Sequence, residues 1–324
     1  MPNDQRTMRA AVLAGPRRIV MADVPVPEPR AGEVRIRLEG CGLCGSNLPP
    51  FEGRPWFTYP FEPGAPGHEG WGVIDAVSPN VRGHAPGERV AFLSGHAFAD
   101  YDVAPGGSVV RLPPALAGKP FPGEPLGCAL NAFRRSDVQA GHTVAVIGVG
   151  FLGAVITALA RAAGARVLAV ARRPFARAIA ERMGAAATFA LDDVGATAQQ
   201  VLAATGGAGC DRVIEAVGLQ APLDLATEIT RVRGRLIIAG YHQDGTRTVN
   251  LQQWNWRGLD VINAHERDPG AYVDGIHAAV DAVVTGAVDP FPLLTHTVPF
   301  TDLARAFALL EERPAGFLKA VVTW

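Results

Sequence analysis

Cys44, His68, Glu69 and Glu124 are the side chains in this sequence best placed to do chemistry. They stand in GCGLCGSN (40–47), GHEGWG (67–72) and GEPLG (123–127), each near glycine or proline, where a turning backbone exposes a side chain. A thiolate, an imidazole and a carboxylate form the donor set that suits catalytic zinc, with a further position left for water or substrate. Zinc held in this way acts as a Lewis acid, stabilising an alkoxide while a hydride departs. The donors are far apart in the chain, so spacing alone leaves the metal open. Cys41 and Cys44 also spell C-x-x-C. A redox motif of that kind opens a helix in a βαβ setting, whereas this one stands in a β-rich stretch. Cys128 and Cys210 read as buried small apolar residues. His96, His242, His265 and His296 lack a ligand-like context, although His265 ends the last expected sheet strand and can face a site there.

A second chemistry is written into His142–Arg173, HTVAVIGVGFLGAVITALARAAGARVLAVARR. Thr143–Ile147 is a short apolar, β-branched strand of the kind buried on both faces of a parallel sheet. Gly148, Gly150 and Gly153 follow in G-x-G-x-x-G spacing, with Phe151 and Leu152 between them. Ala154–Ala163 then reads as a helix and Arg166–Ala171 as a second strand. Strand, glycine turn, helix and strand make a dinucleotide-binding unit, with the pyrophosphate on the helix N-terminus. An NAD site usually ends the second strand on an acid that bonds the ribose. Here the strand ends on Arg172 and Arg173, whose guanidinium groups can fork onto a 2′-phosphate. NADP(H) is favoured over NAD(H); loosely stacked, solvated arginines are the alternative.

The elements that must position these groups are of two kinds. Met8–Leu13, Arg18–Ala22, Glu33–Glu39, Val73–Val77 and Phe98–Pro105 read as short strands separated by glycine and proline turns. Glu124–Arg135 is the helix leading to the nucleotide unit. Beyond the glycine turn, helices at 175–183 and 222–230 alternate with strands at 212–215, 235–239 and 259–263, a doubly wound parallel sheet. Helices at 272–285 and 301–311 and a strand at 317–322 return to the first domain. The expected domains are 1–125, 126–264 and the return 265–324, giving an α/β fold. No repeat is visible.

The chain has 324 residues, a net charge of −1 and interspersed charges, which point away from nucleic acid and anionic membranes. There is no run of eighteen apolar residues, and the start, MPNDQRTMRAAVL, lacks a signal peptide's core. Four cysteines without a secretion signal argue for a reducing compartment. The expectation is a soluble, cytoplasmic protein.

GCGLCGSN, then GHEGWG, then EPLGCALNAFRR ahead of GVGFLG resembles the zinc-dependent medium-chain alcohol and polyol dehydrogenases. The resemblance runs from Met8 to GFLKAVV near the C-terminus. It implies a GroES-like, β-rich catalytic domain around a Rossmann domain, with the active site in the cleft between them. It also implies Cys44 and His68 as zinc ligands, Glu124 as the third ligand in polyol-dehydrogenase style, Glu69 beside the metal, and Ser46 as the hydroxyl that passes the substrate's proton. A homodimer or homotetramer is implied too. The sequence departs from the family in several places. The four-cysteine lobe for a structural zinc is absent, so one zinc is expected. Asn47 replaces an aspartate, weakening charged support for His68, and Pro49 replaces the histidine that often ends the proton relay. The loop Leu48–Pro66, with Trp56, Phe57 and Tyr59, is distinctive and, with Trp254 and Trp256, is a candidate for shaping a substrate pocket.

The leading expectation is therefore a zinc-dependent, NADP-preferring dehydrogenase that interconverts a secondary alcohol or polyol and a ketone, with a small molecule as its partner. A zinc-free NADPH-dependent enoyl or quinone reductase on the same scaffold is the runner-up, and a non-catalytic nucleotide-binding protein is the alternative from another class.

Overall fold

The computed structural model describes residues 6–324; residues 1–5, part of the start read above for a signal peptide, lie outside the described residues. The chain divides into two units. One runs to Gly127 and takes in Tyr272–Val284 and Phe291–Trp324; the other comprises Cys128–Ala271 and Thr285–Pro290.

The first unit opens with an antiparallel pair, β1 (Thr7–Gly15) and β2 (Arg18–Pro25). Then come β3 (Glu33–Gly42), the short helix α1 (Leu48–Glu52), β4 (Glu69–Val77), β5 (Arg89–Phe92), β6 (Tyr101–Pro105) and β7 (Val109–Arg111). Period-two alternation explains β3: Val34, Ile36 and Leu38 are buried in the core, while Arg37 between them is exposed. Helix α2 (Gly123–Ser136) carries Glu124 in its first turn.

The second unit alternates β8 (Thr143–Ile147), α3 (Phe151–Ala162), β9 (Arg166–Val170), α4 (Pro174–Arg182), β10 (Ala187–Phe189), α5 (Val194–Ala204), β11 (Cys210–Glu215), α6 (Gln220–Ile229), β12 (Thr230–Ile238), α7 (Leu251–Arg257) and β13 (Asp260–Asn263). Its six strands are parallel in the order β10-β9-β8-β11-β12-β13. This is the expected doubly wound sheet, and its order reverses between β8 and β11. Val144–Ile147 and Val167–Val170 are wholly buried, as unbroken apolar runs covered on both faces must be. Strand β10 and helix α5 lie in a stretch that the sequence reading left unassigned.

The chain closes with α8 (Pro269–Val284), β14 (His296–Pro299), α9 (Leu303–Glu312) and β15 (Ala320–Thr323). These last strands join the first unit's sheet, ordered β14-β15-β3-β4-β5-β7 with β6 on β3. Among the described residues no helix is long and apolar enough to cross a membrane.

Candidate active site

Strand pairing in the first unit assembles the expected donors. Gly42, at the end of β3, pairs with Glu69, at the start of β4, so Cys44 just past one strand meets His68 just before the other. One ligand atom from each of Cys44, His68 and Glu69 lies within 4.8 Å of the others, the one such group of three among the described residues. Asn47 ties the two segments together: its Oδ1 accepts from Cys44 N–H at 2.8 Å and its Nδ2 donates to the Pro66 carbonyl at 3.0 Å. His68 Nδ1 lies 2.9 Å from the same carbonyl, which fixes Nδ1 as the protonated nitrogen and leaves Nε2 as the donor. Asn47 thus supports His68 through Pro66 rather than by charge, a task for which an amide, with both donor and acceptor, suits better than a carboxylate.

Sequence reasoning missed Lys319. Strand β15 flanks β3 on the side opposite β4, with Val321 across from Gly42. From just before β15, Lys319 donates to Glu69 Oε1 at 2.6 Å and to the Leu43 carbonyl at 3.1 Å. Its Nζ also lies 2.5 Å from Oε2, in an ion contact without hydrogen-bond geometry, so Oε2 accepts no hydrogen bond. Glu69 is 0 % exposed and Lys319 4 %, so neither charge is answered by solvent. Burial alone would depress the ammonium, but Glu69, with Cys44 and Glu124 behind it, holds its pKa above the ordinary value. The only forewarning was a lysine inside an apolar C-terminal run, FLKAVV.

Burial also works against a charged His68, yet the hydrogen bond and charge of Cys44, then the charges of Glu124 and Glu69, push its pKa up from 6.5 to about 10. Glu124 stands outside the 4.8 Å group, but its charge acts on both His68 and Lys319. In the form that coordination requires, with Cys44 a thiolate and His68 a neutral imidazole, Cys44, Glu69 and Glu124 set three anions against one ammonium. A divalent cation answers that surplus, and the thiolate, imidazole and carboxylate donors suit zinc. Ser46 stands two residues past Cys44 on the turn Gly45–Asn47. Cys41 faces away from redox chemistry: it is wholly buried and its thiol is pushed well above its usual range by burial and by Glu69.

In the second unit the glycines have separate physical reasons. Gly148 takes φ +96°, and a Cβ there would come within 2.4 Å of Val217 Cγ2. A Cβ on Gly153 would stand 2.0 Å from the Gly148 carbonyl oxygen, so α3 could not approach its turn. Gly150 faces open space, the cradle that a pyrophosphate needs at the start of α3, where Phe151, Leu152 and Gly153 form the first turn. Arg172 is exposed just past β9, and Arg173 occupies the N-cap position of α4 without a side-chain capping bond. Arg177 braces this corner by donating to the carbonyls of Ala171 at 2.9 Å and Arg172 at 3.0 Å.

Other expectations need correcting. Cys128 is only half-buried, one turn after Glu124, while Cys210 is wholly buried. Trp254 is no open platform: its indole donates to Thr227 Oγ1 at 2.9 Å, whereas Trp256 is exposed. His265 stacks on Tyr241 with ring centroids 5.5 Å apart. His242, read as featureless, lies 3.0 Å from the buried Glu215.

Residues 30–114 match the alcohol dehydrogenase GroES-like domain family and residues 152–281 the zinc-binding dehydrogenase family. The chain is similar to 2-dehydro-3-deoxy-L-galactonate 5-dehydrogenase of Pseudoalteromonas atlantica, at 26% identity over 91% of this chain and 92% of that protein. It is also similar to human sorbitol dehydrogenase, at 27% identity over 93% and 92%. A Sinorhizobium meliloti 1021 protein, solved with NADP bound, superposes with a TM-score of 0.84 at 27% identity, over 99% of this chain and 100% of that one.

Proposed function

Because this chain belongs to the zinc-type medium-chain dehydrogenase/reductase family, we propose that it interconverts a secondary alcohol or polyol and a ketone, with one zinc per chain and NADP(H) as hydride partner. The convergence of Cys44, His68 and Glu69 beside Glu124, with the surplus negative charge that lifts His68, carries this reading. The sorbitol dehydrogenase among the relatives supports the substrate class, and the NADP in the Sinorhizobium meliloti structure supports the cofactor. A small-molecule alcohol or carbonyl partner, a homodimer or homotetramer and a cytoplasmic location belong to the same reading.

When bound, zinc would supply Lewis acidity at the alcohol oxygen and the oxidised dinucleotide the hydride acceptor. The chain's own residues do the rest. Cys44 and His68 hold the metal, and the Pro66 carbonyl keeps the proton of His68 on Nδ1. Glu124 would be the third ligand, with Glu69 engaged by Lys319. Ser46 would pass the alcohol's proton on, releasing its own hydroxyl proton toward solvent as it accepts the substrate's. The first turn of α3 would hold the pyrophosphate, and Arg172 and Arg173 would bind the 2′-phosphate.

A second arrangement, with Glu69 as third ligand, is favoured by its place in the 4.8 Å group. Elemental analysis separates the two. Glu124→Ala is expected to lose zinc and alcohol oxidation together while still binding the dinucleotide; Cys128→Ala, one turn away, keeps both. Full zinc in Glu124→Ala with loss in Glu69→Gln would move the ligand to Glu69. A zinc-free unmodified chain that reduces activated alkenes would replace the reading with the reductase. For the cofactor, two charged hydrogen bonds predict at least about a tenfold preference for NADP, lost in Arg172→Ala plus Arg173→Ala. Equal use of NAD by the unmodified chain would overturn that preference.

A further inference from the structure

A series of linked side chains at the ends of β11 and β12 has no part in the chemistry above. Glu215, the last residue of β11, is fully buried. Its Oε1 accepts from the N–H groups of Val217 at 2.7 Å and Gly218 at 2.8 Å. Its Oε2 lies 3.0 Å from His242 Nε2, and His242 Nδ1 accepts from Arg247 Nε at 3.0 Å. An arginine N–H is a permanent donor, so Nδ1 carries no proton and Nε2 donates to Glu215. Arg247 donates further to the carbonyls of Gly218 at 2.8 Å and Thr246 at 3.2 Å, and pairs with Asp244. Every nitrogen of this guanidinium is engaged inside the protein, so Arg247 acts as a strut rather than as an anion receptor. Gln220 closes the same loop again, donating to the Thr248 carbonyl at 2.8 Å and accepting from its N–H at 3.0 Å.

These contacts hold the wall of the glycine turn. Val217 stands against Gly148, where an added Cβ would come within 2.4 Å of Cγ2. Strands β8 and β11 are neighbours at the reversal of the sheet, outside whose strand ends ligands of doubly wound folds bind. The adenosine ribose belongs at the end of β9, beside Arg172, which leaves the β11 and β12 ends for the nicotinamide half. Val217, Leu219 and Tyr241 expose apolar side chains at those ends.

We propose that Glu215, His242 and Arg247 are positioning residues for the nicotinamide half of the dinucleotide. By fixing the turn 216–218 and the chain after β12, they present that half with a preformed surface. This rests on the dinucleotide site of the dehydrogenase reading.

The test titrates the full-length chain, Glu215→Gln, Arg247→Ala and Arg247→Lys with NADPH or NADH, whichever the unmodified chain binds tighter, and with the matching adenosine fragment, adenosine 2′,5′-bisphosphate or AMP. Loss of a hydrogen bond to a charged group predicts a Kd for the whole dinucleotide raised about tenfold in Glu215→Gln and Arg247→Ala, with the fragment's Kd within about twofold. Arg247→Lys recovers part of the loss, and zinc content is unchanged. Equal weakening of dinucleotide and fragment, or no weakening in a folded variant, overturns the inference. Should Glu215→Gln fail to fold, the loop variant Arg247→Ala decides alone on the same outcomes. An unmodified chain that binds neither dinucleotide overturns the dehydrogenase reading and this inference with it; turnover by an unmodified chain whose variants bind alike overturns only the inference.

Discussion

Glu69 and Glu215 are both 0 % exposed, and each sits at the end of a strand beside a candidate site, yet they are stabilised in different ways. Glu69 faces an ammonium on a flexible four-carbon stem, and one of its oxygens accepts no hydrogen bond. Glu215 is cradled by two backbone N–H groups and a neutral imidazole. Backbone donors cannot turn away, so the second carboxylate is fixed. The first is held by charge, which a metal ion nearby can rebalance. The two proposed roles, yielding to a metal ion and holding a wall still, would call for these two different solutions.

The sharpest way to break the contrast is Lys319→Met. Removing one partner of a buried pair strands the other charge, so a loss of about 3–5 kcal/mol is expected in urea unfolding of the metal-free chain. Glu69→Gln added to Lys319→Met should recover much of that loss, because no uncompensated charge remains. A loss under about 1 kcal/mol for the single variant would show that Glu69 is not held by charge.

The second prediction concerns pH. His68 carries a folded pKa of about 10 against an ordinary 6.5, so its protonation stabilises the metal-free fold. That contribution is full below 6.5 and is lost as pH rises through about 10. Zinc removes it, since only the deprotonated imidazole binds. The metal-free chain should lose urea resistance across that window and the zinc-loaded chain should lack this component; zinc binding should also release a proton, seen as a calorimetric enthalpy that varies with the buffer. Identical pH profiles would sink the assignment.

A smaller effect is expected of Asn47→Asp, which sets a buried carboxylate against the Pro66 carbonyl and removes the donor that holds it. The cost should be about 1–3 kcal/mol, with weaker zinc retention. Unchanged stability would mean that the Asn47 bridge does not organise the donors.

The two sites were unequally legible in the sequence. The glycine turn is local: strand, turn and helix follow one another, and β8 begins and ends where the apolar run Thr143–Ile147 does. Cys44, His68 and Glu69 were found through flanking glycines, but their meeting depends on the β3–β4 register. Lys319 could not be placed, because it reaches Glu69 across 250 residues of chain. His242 and Arg247 lie in YHQDGTR, a stretch with no periodicity, which side-chain bonds such as that between Arg247 and His242 hold in place. Strand β10 has three residues, too few for a period, and α5 begins VGAT, whose small residues hide the helix behind a sound N-cap: Asp193 accepts from Ala196 N–H at 2.7 Å.

The pairing of Gly42 with Glu69 places a bare backbone position opposite a buried charge, and a Cβ there would stand 1.9 Å from Oε2. The carboxylate's resting place is therefore moulded as well as electrically held: it lies in a notch cut by a missing methyl group. Gly42→Ala would act as a wedge, swinging the carboxylate away from β3 with no change in formal charge. Strand β3 thus serves the donor set as a template, and the width of that notch sets where the Glu69 carboxylate stands beside Cys44 and His68.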